Sequence, residues 1–223
     1  MKFNFKLSLF IFLLILSSDF QVLSAFAQPS GQASDLDQKV RGFLEGHRYK
    51  WNHENVSEAD GKVLFDLVLK NNYKRAIEIG TSTGHSAIWI AWALSRTGGK
   101  LITIEINEER YKMALENFKA AGLSDYIDAR LADAHRLVPK LKGPFDFVFV
   151  DADKDWYKNY LKLLLPKLEV GGCFTAHNVR YIGSIDGVRK FLEHLKKLPE
   201  METTIDRSSW SGISISYKRA AKT

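Results

Sequence analysis

The stretch RAIEIGTSTGHSAIWIAWALSRTGGKLITIEI, from Arg75 to Ile106, contains the alternation that decides the fold. A short isoleucine-rich run leads into a glycine-containing turn, a helical run begins at His85, and a second short apolar run starts at Lys100. Short apolar runs bounded by turn residues are typical of buried strands, and two parallel strands joined through a helix form a right-handed unit. The stretch therefore predicts a strand, a helix and a second, parallel strand.

The same alternation continues along the chain. Five β-rich runs are predicted to be parallel strands, at 75–80, 100–106, 126–132, 145–151 and 172–178. The predicted helices lie at 34–46, from 57 onward, and at 85–94, 107–121, 134–141, 156–168 and 184–198. Two last runs, METTIDR and GISISYK, can pair as an antiparallel hairpin at the sheet edge. The pattern predicts an α/β fold with a mostly parallel sheet and helices on both faces.

The N-terminal segment differs in composition from the rest of the 223-residue chain. Lys2 and Lys6 precede an apolar run. Ala25 and Ala27 are small residues at the positions that a signal peptidase reads. We expect residues 1–27 to be a cleaved signal peptide, which implies export and no stable membrane insertion after cleavage. An uncleaved membrane anchor is the alternative, but the apolar run is shorter than the roughly 20 residues that span a bilayer.

The remaining composition indicates one globular domain. Residues 28–56 are expected to form a lead-in and a helix, and residues 57–223 to form the domain itself. The single cysteine, Cys173, excludes an intramolecular disulfide, and its apolar surroundings predict a buried, inert thiol. The net charge of +6 comes from lysine-rich helix faces, without one basic patch, which argues against nucleic-acid binding.

Polar residues follow the carboxyl ends of the predicted strands, the edge at which open parallel sheets bind ligands. After the first strand, Gly80 and Gly84 allow a tight turn, and Ser86 opens the next helix. Glu105 ends the second strand and can accept hydrogen bonds from both ribose hydroxyls of an adenosine. The turn lacks the third glycine of the dinucleotide fingerprint and no Walker lysine follows, so a nicotinamide dehydrogenase is disfavoured.

The third and fourth strands also end in acidic residues. Asp133 could meet an adenine edge or cap the helix that follows it. The fourth strand runs directly into a cluster of charges, Asp151, Asp153, Lys154 and Asp155. Like charges crowded at one strand end repel one another unless a metal or a cationic ligand compensates them. Asp155 suits the N-terminus of the next helix, so Asp151 and Asp153 are the better candidates for ligand contact.

Several motifs, EIGTSTGHS, IEINEERYKMALENFKAAGL, FVFVDADK and the pair His177-Asn178, together resemble the cation-dependent class I O-methyltransferases of the catechol and caffeoyl-coenzyme A type. The motifs occur in the family's order between Ser57 and Asn178. The resemblance implies a Rossmann-like class I methyltransferase sheet of seven strands. It implies S-adenosylmethionine as cofactor, a small phenolic, catechol-like substrate, and a possible homodimer.

The resemblance also assigns roles by position. The residues that would hold S-adenosylmethionine are Val56, Glu78, Gly80, Thr81, Ser86, Glu105, Ala134 and Asp153. The residues at the positions of the ligands to a divalent cation, Mg²⁺ or Mn²⁺, are Asp151, His177 and Asn178. The resemblance places Lys154 as the base at the accepting hydroxyl, where Asp151 also acts.

Two departures from the family pattern affect the site. The family has Asp-Asn where this chain has His177-Asn178, and imidazole is a poor magnesium ligand but a good one for zinc, iron, cobalt or nickel. Near the C-terminus, the family's Asp-Gly is replaced by Ser211-Gly212. Three alternatives stay open: a transition metal at this site, a metal-independent enzyme with His177 as base, and an exported protein that binds cofactor without turnover.

Overall fold

The structure is a computed structural model that describes residues 34–51, 53–181 and 185–220. The helices are α1 (Asp35–His47), α2 (Glu58–Lys70), α3 (His85–Thr97), α4 (Glu108–Ala121), α5 (Ala134–Leu137), α6 (Tyr157–Leu164) and α7 (Asp186–Leu195). The strands are β1 (Arg75–Ile79), β2 (Lys100–Glu105), β3 (Ile127–Leu131), β4 (Phe145–Val150), β5 (Leu168–His177), β6 (Met201–Asp206) and β7 (Ile213–Lys218). The predicted signal peptide, 1–27, lies outside the described residues and stays a prediction.

The seven strands form one sheet in the order β3-β2-β1-β4-β5-β7-β6. The first five strands along the chain are parallel, whereas β7 pairs antiparallel with both β5 and β6. The predicted fold class is therefore confirmed, including the antiparallel hairpin at the edge. The strand order reverses between β1 and β4, and the crevice above such a reversal is the expected ligand site of an open parallel sheet.

Two of the predicted helices end early in a 3₁₀ turn. The helix predicted for 134–141 ends at Leu137 and continues as a 3₁₀ turn that contains Pro139. The helix predicted for 156–168 likewise changes to a 3₁₀ turn, at Leu165–Lys167, that contains Pro166. Proline removes a backbone donor and clashes with the preceding helical turn, which explains both early ends. As a result, β5 begins at Leu168, before the predicted start at 172.

Helices cover both faces of the sheet, as the continuous apolar pattern of β4 requires. Phe147 and Phe149 of β4 pack into a core with α1, α2, α3 and α4. Val148 and Val150 pack into the opposite core with α6 and α7. Cys173 is fully buried, as predicted, and burial raises the pKa of its thiol to about 12. No helix in the described ranges is both long and apolar enough to cross a membrane.

The first turn of α2 is held both by a local helix cap and by packing against α3. Ser57 caps the helix, and its hydroxyl and backbone exchange hydrogen bonds with Asp60 in a capping box. Gly61 then lies against α3, where an added Cβ would be 2.2 Å from Cδ1 of Trp89. The glycine thus permits α2 and α3 to approach each other closely at the first turn of α2.

We predict that Gly61→Ala lowers the free energy of unfolding by about 1–3 kcal/mol, because the added methyl group overpacks the contact with Trp89. Gly46→Ala is the matched control, since no atom lies within 4 Å of its added Cβ and alanine favours a helix. Urea unfolding of both variants measures the effect. Equal stabilities of the two variants would show that α2 and α3 are not in tight contact here.

Candidate active site

The carboxyl ends of the parallel strands surround a cleft of about 770 Å³. Gly80, directly after β1, adopts a left-handed φ of 97°. A Cβ at this residue would lie 2.3 Å from the backbone oxygen of Asp151, at the end of β4. Only glycine therefore allows the ends of β1 and β4 to come this close, which brings the turn of one strand beside the charges of the other.

Most residues with a predicted cofactor role line this cleft. The ones that do so are Val56, Gly80, Thr81, Ser86, Glu105, Ala134 and Asp153. Glu78 is the exception, because it is fully buried behind the cleft and accepts a hydrogen bond from Thr103. Burial raises the pKa of Glu78 to about 8, against the opposing effect of hydrogen bonds from Ser86 and Thr103.

The carboxylate of Glu105 lies at the cleft and accepts hydrogen bonds from three backbone amides. Its Oε2 accepts from the amide of Ser82 at 2.7 Å, and its Oε1 accepts from the amides of Ile106 and Asn107 at 3.0 and 2.9 Å. These bonds fix the carboxylate against the glycine turn after β1. The acid at the end of β2 is thus preorganised at the position predicted for a ribose-binding residue.

The acids after β3 and β4 serve partly as caps. Asp133 accepts from the amide of His135, which confirms the capping alternative. After β4 it is Asp153, rather than the predicted Asp155, whose side chain caps the following turn. His135 also stacks on Trp156, with ring centroids 3.7 Å apart, and forms a wall of the cleft that the sequence patterns did not indicate.

A buried cluster of four charged side chains lies at the ends of β4 and β5. Nδ1 of His177 lies 3.0 Å from Oδ2 of Asp151, and Nε2 lies 3.2 Å from Oδ2 of Asp60. The other oxygen of Asp151, Oδ1, accepts from Nζ of Lys154 at 2.6 Å. His177 and Asp60 are only 5% and 1% exposed, so their contact is shielded from water, whereas Asp151 and Lys154 line the cleft. Two carboxylates therefore enclose one imidazole.

The electrostatics of the cluster favour an imidazolium. Burial alone would lower the pKa of His177, but the hydrogen bond that its Nδ1 donates to Asp151 and the nearby carboxylate of Asp60 raise it to about 9. Burial would raise the pKa of Asp60, which the neighbouring His177 and the hydroxyls of Ser209 and Ser57 instead lower to about 2. The pKa of Asp151 is also lowered, by His177 and Lys154 against the effect of burial. At neutral pH both aspartates are charged and His177 is protonated.

Asp60 is the member that sequence reasoning missed. The capping box with Ser57 already explains why an acid occurs at this position, so the sequence gives no sign of the second contact, with His177. The hydroxyl of Ser209, in the loop between β6 and β7, lies close enough to Asp60 to lower its pKa further. The start of α2 and this loop therefore meet at the end of β5.

The predicted metal ligands are adjacent, but their side chains do not form an open donor set. Asp151, His177 and Asn178 all line the cleft, and Asn178 follows β5 with a left-handed φ of 60°. Both nitrogens of His177 face carboxylates, and both oxygens of Asp151 face cationic groups. Throughout the described ranges, no group of three or more His, Cys, Asp or Glu side chains is arranged to hold a metal ion. Within the same cluster, Nε2 of His177 and Oδ1 of Asp60 are buried without a hydrogen-bond partner.

His85, which opens α3, has a structural role beside the cleft. Its Nδ1 donates to the backbone oxygen of Val56 at 2.9 Å, and its Nε2 accepts from the indole of Trp89 at 3.0 Å. Burial lowers the pKa of this imidazole, so it is neutral, as the accepting nitrogen requires. His85 thereby links the loop before α2, which contains Val56, to α3.

The sheet order, the glycine turn after β1, the acid that ends β2 and the charged end of β4 together define a Rossmann-like class I methyltransferase. A family model described as O-methyltransferase matches residues 30–216. The chain belongs to this O-methyltransferase family.

Named relatives are plant enzymes. The chain is 38% identical over 143 residues to caffeoyl-CoA O-methyltransferase 1 of Eucalyptus globulus, a match that covers 62% of this chain and 58% of the relative. It is also 38% identical over 144 residues to caffeoyl-CoA O-methyltransferase of Petroselinum crispum, covering 62% and 59%. The chain thus spans less than two thirds of the length of these relatives.

Solved structures of bacterial proteins show the same fold over more of the chain. The O-methyltransferase TomG of Streptomyces achromogenes, solved in complex with SAM, is 27% identical with a TM-score of 0.70, covering 82% of this chain and 91% of that one. An O-methyltransferase of Bacillus cereus, solved in complex with SAH, is 26% identical with a TM-score of 0.68, covering 85% and 92%.

The raised pKa of His177 predicts a pH dependence of stability. The imidazolium stabilises the fold fully below its ordinary pKa of 6.5, and this contribution is lost as the pH rises through about 9. The difference in unfolding free energy between wild type and His177→Gln should therefore fall by more than about 1 kcal/mol between pH 6.5 and pH 9.5.

Urea unfolding at several pH values measures this difference. His194→Gln is the control, because the pKa of His194 is lowered by burial and nearby lysines and its titration lies below this range. A difference for His177→Gln that stays constant up to pH 9.5 would contradict the clamped imidazolium.

Proposed function

We propose that this protein is an S-adenosylmethionine-dependent O-methyltransferase that acts on a small phenolic substrate, catechol-like by resemblance. The observation that carries the proposal is the cleft above β1 and β4, where the cofactor-type residues and the charged cluster face one another. Family membership and the SAM and SAH complexes of similar structures support the cofactor. The plant relatives, named for caffeoyl-CoA, support a phenolic acceptor.

Two parts of the cleft have different proposed roles, which are cofactor binding and activation of the acceptor. The glycine turn and Glu105 would hold the adenosine and methionine parts of the cofactor, and the ends of β4 and β5 would line the acceptor side of the cleft. Methyl transfer is an in-line displacement in which the acceptor oxygen bonds to the methyl carbon as the carbon–sulfur bond breaks, which leaves S-adenosylhomocysteine. The enzyme then mainly has to place the oxygen in line in a site from which water is excluded.

The charged cluster would activate the acceptor. A phenol resembles tyrosine, with a pKa of about 10, so it is mostly protonated at neutral pH and needs a base. Lys154 is the proposed base in its unprotonated form, held at the cleft by its bond to Asp151, which also lines the cleft. His177 is less suited to that role, because each ring nitrogen already faces a carboxylate.

Binding without turnover is the second candidate function, favoured by the predicted export of the chain away from the compartment that makes the cofactor. An intact cofactor cleft would be kept in such a protein, whereas the acceptor chemistry would be lost. Turnover of labelled S-adenosylmethionine with a panel of catechols and phenols separates the two: methylated product supports the enzyme, and tight cofactor binding without any product supports the binder.

We predict that Glu105→Gln weakens S-adenosylmethionine binding by about 10–100-fold, because hydrogen bonds to a charged group contribute about 1.5–3 kcal/mol. Glu109→Gln, exposed on α4, is the matched control and should bind as the wild type does. Isothermal titration calorimetry measures both affinities. Wild-type affinity in Glu105→Gln would remove the proposed ribose contact.

We predict that Lys154→Met lowers kcat/KM for the phenolic acceptor by about 10²–10⁴-fold with cofactor affinity unchanged, as expected for loss of a general base. Lys162→Met, exposed on the next turns of α6, is the control. Lys154→Arg keeps the charge but cannot accept the proton, so it should be as inactive as Lys154→Met. Full activity of Lys154→Arg would assign Lys154 a purely electrostatic role.

A further inference from the structure

A second cavity is lined by residues of α1, α2, α3 and the loop before α2. Its volume is about 430 Å³, within the range of sites that hold small molecules. Four aromatic side chains form an apolar wall of this cavity: Trp51, Phe65, Trp89 and Trp92. None of the four lines the cleft at the sheet edge, so the cavity has no part in the chemistry proposed for the cleft.

One indole in this wall lacks a hydrogen-bond acceptor. Nε1 of Trp92 donates to Asp37 at 2.6 Å, and Nε1 of Trp89 donates to His85 at 3.0 Å. Nε1 of Trp51 is buried as well, but it has no partner in the described part of the chain. An indole nitrogen can only donate, and a buried donor without an acceptor is unfavourable. A ligand that brings an acceptor atom into the cavity would satisfy this donor.

The ring of Trp51 is held in place although its nitrogen is unpaired. It stacks on the imidazole of His85, with ring centroids 4.3 Å apart, and meets Phe43 edge-on at 6.1 Å. His85 is itself fixed by its hydrogen bonds to Val56 and Trp89. The unpaired donor therefore belongs to an ordered aromatic wall, and such a wall favours a flat aromatic ligand at a low cost in conformational freedom.

The charges around the cavity favour an anion. Three cationic side chains and two carboxylates line it, which leaves one net positive charge: Arg41, Arg48 and Lys62 against Glu45 and Glu58. Arg48 and Glu58 neutralise each other through two hydrogen bonds of 3.0 and 3.1 Å. Arg41 forms no ion pair within the described ranges, and its guanidinium lies 5.1 Å from the ring centroid of Trp92. An unpaired guanidinium beside an aromatic wall suits a carboxylate on an aromatic ring.

We propose that this cavity is a second binding site, which takes a small aromatic carboxylate. The aromatic ring of the ligand packs against the tryptophan wall, and its carboxylate accepts a hydrogen bond from Trp51 and is attracted by Arg41. The site is separate from the cleft, although Asn55 and Val56 line both. The proposal does not depend on methyl transfer, because it concerns binding at residues outside the proposed active site.

The first test examines charge, by calorimetric titration of the full-length protein with naphthalene-2-carboxylate and with the neutral amide of the same shape. The carboxylate should bind about 10-fold more tightly, and Arg41→Gln should remove most of this difference. Lys39→Gln, exposed on α1 outside the cavity lining, is the matched control and should keep it. Saturation with S-adenosylhomocysteine should still leave the cavity open to the carboxylate. No binding, equal binding of both probes, or displacement by S-adenosylhomocysteine would overturn the proposal.

The second test locates the ligand at the unpaired donor. Trp51→Phe keeps an aromatic ring but removes the N–H, so it should weaken naphthalene-2-carboxylate binding about 10-fold or more. Trp210→Phe is the control and should bind as the wild type does, since Trp210 is 72% exposed in the loop between β6 and β7. Wild-type affinity in Trp51→Phe would place the ligand elsewhere and overturn the proposal.

Proton–nitrogen NMR of the wild type gives the same decision if Trp51→Phe does not fold. The indole signal of Trp51, assigned through its contact with His85, should move downfield as naphthalene-2-carboxylate saturates the protein, because its N–H gains an acceptor. The indole signal of Trp210 should stay in place. A Trp51 signal that does not move at saturation would overturn the proposal.

Discussion

A protonated histidine enclosed by two buried carboxylates is the interaction on which the site depends. His177 ends β5, Asp151 directly follows its neighbour β4, and Asp60 reaches the same point from the first turn of α2. Removing any one member leaves a buried charge without its partner, which is far more costly than exchanging surface charges. The cluster therefore links the first turn of α2 to the ends of β4 and β5, and it determines the charge in this part of the cleft.

The fold brings these residues together by ordinary means. Parallel strands direct their carboxyl ends to one edge, and the reversal of strand order between β1 and β4 opens a crevice there. Gly80 lets the turn after β1 contact the backbone of Asp151, and Gly61 lets α2 approach α3 closely. The two halves of the cleft, one for the cofactor and one for the acceptor, are thus joined through backbone contacts that larger residues would prevent.

Much of this could be predicted from the sequence, because the decisive signals are local. The alternation of apolar runs and helices predicted the sheet, and the polar pair His177-Asn178 marked the end of β5. Boundaries near Pro139 and Pro166 were missed, since a 3₁₀ turn continues the apolar spacing of a helix. The role of Asp60 was hidden, because Ser57 explains that acid locally, and its contact with His177 depends on how α2 packs on the sheet. The predicted metal set followed from the family resemblance, which does not reveal where each side chain is directed.

The protonation of His177 tests the central claim most directly. Nitrogen-15 NMR of the imidazole rings at neutral pH, assigned with His177→Gln, reports whether each ring nitrogen carries a proton. We predict that both nitrogens of His177 are protonated. An unprotonated nitrogen on His177 would contradict the account.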